Sequence, residues 1–157
     1  YGEDFPYAAY KQEMRELFFG PYYEQSLTVK KGGRELLAAL KNAHIPVALA
    51  TSTAQASVLK ELKDAGIRDY FDQVVCGDMV SHSKPHPEIF LTACAALGAK
   101  PEKTIVIEDS YNGIRAAHAG GMMPVMVPDM LQPTGEIEKM TIAVCESLLV
   151  VKENIGL

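Results

Sequence analysis

The sequence predicts an α/β fold, a doubly wound domain built on a mainly parallel sheet. Three observations predict it. Short apolar runs (IPVALA at 45–50, QVVC at 73–76, TIVI at 104–107) alternate with stretches of helical periodicity. The runs are apolar at successive positions rather than every second one, as in strands covered by helices on both faces. The connections between them are short, which favours a layered sheet-and-helix architecture.

The elements follow in order. Residues 6–19 read as a helix, with Ala9, Met14, Leu17 and Phe18 near helical spacing, broken at Phe19-Gly20-Pro21. Residues 33–43 are helical, with Leu36, Leu37 and Leu40 on one face. Residues 45–50 form a strand buried on both faces. Residues 53–65 form a helix closed by Gly66, with Val58, Leu59 and Leu62 turned inward. A second strand covers 73–76 and ends at Gly77-Asp78. A loop over 80–87 leads to a helix over 88–97, stopped by Gly98. The third strand, 104–107, precedes a helix over 110–119 that Gly120-Gly121 ends. Strands at 124–127 and 142–145 follow, and Ser147 caps a final helix.

The 157 residues suit one domain, or one domain and a fragment of another, and the 48% apolar content is enough for a core. The net charge of −5 and the scattered lysines and arginines exclude a basic surface built for nucleic acid. The mostly apolar stretch at 89–99 is too short and too polar to span a bilayer, so no membrane partner is expected. Nothing near Tyr1 resembles a signal peptide, and a cytoplasmic location follows as the default. Cys76, Cys94 and Cys145 are odd in number and widely spaced, which suits core thiols rather than a zinc site or disulfides. The chain opens at Tyr1 within an amphipathic pattern, so a longer parent protein is expected.

In doubly wound sheets, ligands sit beyond the carboxyl ends of the strands, and three of these exits stand out. Thr51-Ser52-Thr53 offers hydroxyls and backbone amides to a phosphate oxygen; the same residues suit a simple helix cap, and both roles can coexist. In Ser83-Lys84-Pro85-His86-Pro87, two prolines stiffen a loop around one lysine. That suits a fixed charge for a phosphoryl group, or else an ordinary solvated lysine before a helix. His82 and His86 are four apart, but the prolines forbid a helix between them, so they read as exposed loop histidines. Glu108-Asp109-Ser110 sets two acids at the end of an apolar strand. They suit Mg²⁺, or alternatively Asp109 and Ser110 greet the following helix dipole. Hydroxyl, lysine and acid pair on successive exits form a constellation for phosphate and metal.

VALATST (47–53), SKPHPEIF (83–90) and IEDSYNGIRAAHAGGM (107–122) resemble the second, third and fourth motifs of the haloacid dehalogenase superfamily. The similarity is greatest to the subgroup with a small helical cap, which includes beta-phosphoglucomutase and phosphoglycolate phosphatase. It runs from residue 27 to residue 127, with Lys31 before Gly32 and Gly120 as departures away from the chemistry. The resemblance implies a Rossmann-like core at 26–157 and the last part of a helical cap at 1–25. It implies that Thr51 and Lys84 act in catalysis, that Thr51, Ser52 and Lys84 bind phosphate, and that Asp109 and Glu108 hold Mg²⁺. The implied activity is a Mg²⁺-dependent phosphohydrolase working on a small phosphorylated metabolite through an aspartyl phosphate.

The family's first motif, Asp-x-Asp on the central strand, occurs nowhere in this sequence. By resemblance that strand precedes Tyr1 and lies between the strands ending at Thr51 and Asp109. Without it the 157 residues are expected to be inactive, with two unpaired strand edges and a slot in the core. A phosphomutase and a truncated, non-catalytic binding module are the alternatives. An unrelated nucleotide-binding domain is disfavoured, since no Gly-rich phosphate loop follows any strand.

Overall fold

Strand and helix alternate through the chain as the apolar pattern dictates. The computed structural model describes residues 2, 4–20, 23 and 28–157; the first helix ends at Phe18, at the expected break, of which Pro21 lies outside the described residues, as does the expected domain boundary after residue 25. Helix α1 covers Tyr7–Phe18 and buries none of its residues. Then come α2 (Gly33–Asn42), β1 (Ala48–Thr51), α3 (Gln55–Asp64), β2 (Gln73–Cys76) and α4 (Glu88–Leu97). They are followed by β3 (Ile105–Glu108), α5 (Tyr111–Ala119), β4 (Met123–Met126), α6 (Gly135–Met140), β5 (Ala143–Val144) and α7 (Leu148–Asn154).

All strand pairings are parallel. Strand β1 pairs with β2, from Ala48 opposite Gln73 to Thr51 opposite Cys76. Strand β4 lies between β3 and β5. Among the described residues no ladder joins β1 to β3, so the sheet is divided into two-stranded and three-stranded parts. Side chains alternate along each strand. Val75 and Val106, with Ala48 and Ala50 beside them, pack against Ile89, Phe90, Ala93 and Cys94 of α4 and Ala116 and Ala117 of α5. Leu49, Val74 and Cys76 pack with Val58 and Leu62 of α3. Val125 and Val127 meet Leu36 of α2 and Val151 of α7. Helices thus cover both faces, and the α4–α5 layer is shared by both parts of the sheet.

The structure departs from the expectations at several points. The first strand was expected to be buried on both faces, but all four residues of β1 are half-buried. Ile105 and Ile107 of β3 are 40% and 37% exposed. The cause is the same for both, since among the described residues each strand has a hydrogen-bonded neighbour on one side alone. Strand β1 starts later than expected because Pro46 has no amide to donate, and the Val47 amide donates to the Asp72 carboxylate at 2.8 Å. Leu59, expected to face inward, is exposed, while Val58 and Leu62 are buried. Helix α6 was not anticipated. The three cysteines are free and buried, as expected. No helix among the described residues is long and apolar enough to cross a membrane.

Candidate functional site

The carboxyl ends of β1 and β3 face each other across a cleft of about 410 Å³. Its lining includes Thr51, Ser52, Lys84, Glu108, Asp109 and Lys30. All five residues singled out from the three strand exits therefore share one cleft.

At the first exit the alternative of a simple cap is not what forms. The N-cap of α3 is Ala54, with no side-chain cap of its own. Instead the Asp78 carboxylate, reaching over from the end of β2, accepts from the Gln55 amide at 3.1 Å. Ser52 and Thr53 are thus not used as caps. Thr51 Oγ1 accepts from the Thr53 amide at 3.2 Å, which leaves its own hydroxyl proton to donate elsewhere. The approach of β2 to this exit requires Gly77, because a Cβ there would lie 2.2 Å from the Ser52 carbonyl oxygen.

At the second exit Lys84 is not a solvated surface lysine. Its side chain is 11% exposed and forms an ion pair with Glu108, whose side chain is 10% exposed. The ammonium also donates to the Ala50 carbonyl at 3.3 Å and lies over the Phe90 ring, 4.6 Å from its centroid. A charge so far removed from water requires such partners. Lys84 spans the division in the sheet, since Ala50 belongs to β1 and Glu108 to β3.

At the third exit the two acids have different surroundings. Glu108 Oε1 takes the lysine, and Oε2 accepts from the Ser110 hydroxyl at 2.9 Å. Ser110 in turn caps α5 by accepting from the Gly113 amide at 3.1 Å. A Cβ on Gly113 would fall 2.1 Å from the Glu108 carboxyl carbon, so glycine keeps that pocket open. Asp109 takes no part in the cap. Its side chain is 52% exposed and its nearest cation is the Lys30 ammonium, at 3.6 Å.

Lys30 is the cleft residue that the sequence did not single out. Its ammonium stands between Asp109 and Asp129, 3.4 Å from the latter, and donates to the Val127 carbonyl at 3.4 Å. The signal available was the pair Lys30-Lys31 before a helix, which solvated lysines produce equally well.

Hard oxygen donors beside two lysines suit an oxyanion and a small dication together. Asp109, exposed and loosely paired, has lone pairs left for an inner-sphere bond. Glu108, held by Lys84 and Ser110, suits a cation through an intervening water. The donor chemistry therefore fits Mg²⁺.

A parallel α/β sheet with an anion-and-cation cleft at its strand exits defines a class of phosphate-handling folds. Within that class the haloacid dehalogenase-like hydrolase profile matches residues 4–127, and the chain belongs to this family. A phosphorylated carbohydrates phosphatase of Thermotoga maritima is 41% identical over 100 residues, 64% of this chain and 46% of that protein. Protein CbbY of Cereibacter sphaeroides is 32% identical over 126 residues, 78% of this chain and 55% of the relative. The crystal structure of CbbY from Rhodobacter sphaeroides in complex with phosphate superposes with a TM-score of 0.76 at 28% identity, covering 92% of this chain and 65% of that one. The chain spans about half the length of the curated relatives it matches.

Proposed function

We propose that these residues form the phosphate-and-metal side of a Mg²⁺-dependent phosphohydrolase acting on a small phosphorylated metabolite, with a sugar phosphate as the favoured class. The observation that carries this reading is the convergence of Thr51, Ser52, Lys84, Glu108 and Asp109 on one cleft. The sugar-phosphate class is supported by the relatives named as phosphatases of phosphorylated carbohydrates and of fructose 1-phosphate.

Phosphoryl transfer requires positioning and charge neutralisation above all. Lys84, held by Ala50 and Glu108, keeps its ammonium at the cleft and neutralises charge on the transferring oxygens. Thr51 donates its hydroxyl proton to a phosphoryl oxygen, and the Ser52 amide supports a second one. Asp109 and Glu108 would hold the divalent ion. When bound, that ion supplies charge neutralisation between the phosphoryl group and its acceptor. In this reading the aspartate nucleophile comes from a strand lying between β1 and β3, which this sequence does not contain. Residues 1–25, with the exposed helix α1, read as the last part of a cap over the cleft, and 26–157 as the α/β core.

The product of the intact gene, assayed with Mg²⁺ against a panel of sugar phosphates and a generic aryl phosphate, is expected to release inorganic phosphate. Chelation should stop turnover, and Asp109→Ala should abolish it while leaving the circular dichroism spectrum unchanged. Isomerised sugar phosphate without phosphate release would identify a mutase. A folded product with no turnover of any phosphate ester would identify a binding module and overturn the proposal.

A further inference from the structure

The two histidines in the Lys84 loop have no part in the cleft. The prolines do exclude a helix between them, yet a turn closed by the His86 amide on the Ser83 carbonyl, at 3.0 Å, brings them together. The imidazole centroids lie 4.5 Å apart. Glu88, in the first turn of α4, completes the group: its Oε2 lies 2.6 Å from His82 Nδ1 and 3.9 Å from His86 Nδ1. One ligand atom from each of the three residues falls within 4.8 Å of the other two, the single such group of three among the described residues.

The carboxylate is fixed before any ion arrives. Its two oxygens accept from the Ser81 amide at 2.8 Å and the His82 amide at 2.9 Å. A carboxylate has about four lone-pair sites, so a metal-facing one remains. Both imidazoles are exposed; His82 Nδ1 is bonded to Glu88 Oε2, and His86 Nδ1 accepts from the Glu88 amide at 3.3 Å, a bond that ligation through this atom would replace. Tetrahedral zinc ligands lie about 3.4 Å from one another, for bonds near 2.1 Å. The three ligand atoms, all within 4.8 Å of one another, already stand close to that spacing.

We propose that His82, His86 and Glu88 form a binding site for a borderline divalent transition metal, with Zn²⁺ the best match, separate from the cleft. Two imidazoles and one carboxylate, with a fourth position open to water, are a zinc donor set. They are a poor set for Mg²⁺, which prefers oxygen throughout. The ligands lie on both sides of Lys84 in sequence, so the ion clips together the loop that presents this lysine.

The test uses the full chain, stripped of metal, supplied with excess Mg²⁺ so that the cleft is occupied, and then titrated with Zn²⁺ by calorimetry and with Co²⁺ by visible absorption. One saturable site is expected, with the intense visible bands of tetrahedral cobalt and zinc-induced changes in the ring nitrogen resonances of His82 and His86. Excess Mg²⁺ should not displace the ion. His82→Ala, His86→Ala and Glu88→Gln should each weaken binding by at least about tenfold, the lower bound for losing a partner at a metal site. His118→Ala and Asp109→Ala should leave it unchanged. Absence of binding overturns the proposal, as does binding that survives loss of either loop histidine, or that is lost with Asp109.

Discussion

Lys84 carries two separable burdens, one on stability and one on chemistry. Its ammonium is the counter-ion of a carboxylate almost as buried as itself. Lys84→Ala strands that carboxylate, and unfolding should become easier by about 3 kcal/mol. In the intact enzyme the same variant should lower turnover by at least about a hundredfold, as for a lost fixed charge at a transferring phosphoryl group. Adding Glu108→Gln removes the stranded charge. The double variant should therefore regain most of the stability in denaturant titration but none of the turnover. Recovery of both would assign Lys84 a purely structural role. Cys76 shows a different influence of burial. Removal from water, and secondarily the negative charge of Asp78, raise its thiol above the usual range. The folded chain then keeps a proton that the unfolded chain gives up above about pH 8.5. This stabilisation is complete below that value and is lost as pH rises through the folded value. Denaturant midpoints should begin to fall as pH rises past about 8.5, and Cys76→Ala should flatten part of that slope. Native Cys76 should also resist iodoacetamide under conditions that label the unfolded chain.

At the scale of elements, close contacts between strand exits set what the sequence can tolerate. Gly77→Ala places a methyl group against the Ser52 backbone, which cannot turn aside as a side chain would. A loss of about 1–3 kcal/mol is expected by thermal denaturation. Gly135→Ala, in α6 where nothing lies within 4 Å, should be neutral or slightly stabilising. The sequence revealed β2 and α4 with their observed ends, since Gly77 and Gly98 mark the stops and apolar runs fill the interior. It missed α6, a short helix of six residues whose apolar pattern is too brief to show a period. Its signal was local: Thr134 before Gly-Glu, and the Thr134 side chain does accept from the Ile137 amide at 3.4 Å. The strand exits bearing Thr51, Lys84 and Asp109 were legible because their polar groups interrupt apolar runs. Lys30 was not, because only the fold brings it to Asp109 from 79 positions earlier (109 − 30). The proximity of His82 and His86 was hidden too, since sequence separation reports contact within helices and not within proline-rich turns.

Among the described residues the sheet is in two parts whose hydrogen-bond ladders do not meet. Each strand is fixed to its paired neighbour by a ladder, but β1 and β3 are held near each other by what packs over them. On one face that is the α4–α5 layer, where Val75 and Val106 share the cluster built on Ile89 and Phe90. At the strand exits it is the ion pair of Lys84 with Glu108. Cohesion between the parts therefore rests on side-chain contacts, apolar and ionic, rather than on a backbone ladder. Ile89 of α4, 2% exposed, is among the largest fully buried side chains of the described residues. Ile89→Ala should cost about 2–5 kcal/mol, the range for emptying such a site in a core. The loss should be unequal across the sheet, because β4 is flanked on both sides and also packs against α2 and α7. Native-state hydrogen exchange should show the amides of β1 and β2 losing protection first, with those of β4 keeping more of theirs. Equal loss across all five strands would mean that the two parts unfold as one unit, and that the division of the ladder has no energetic consequence.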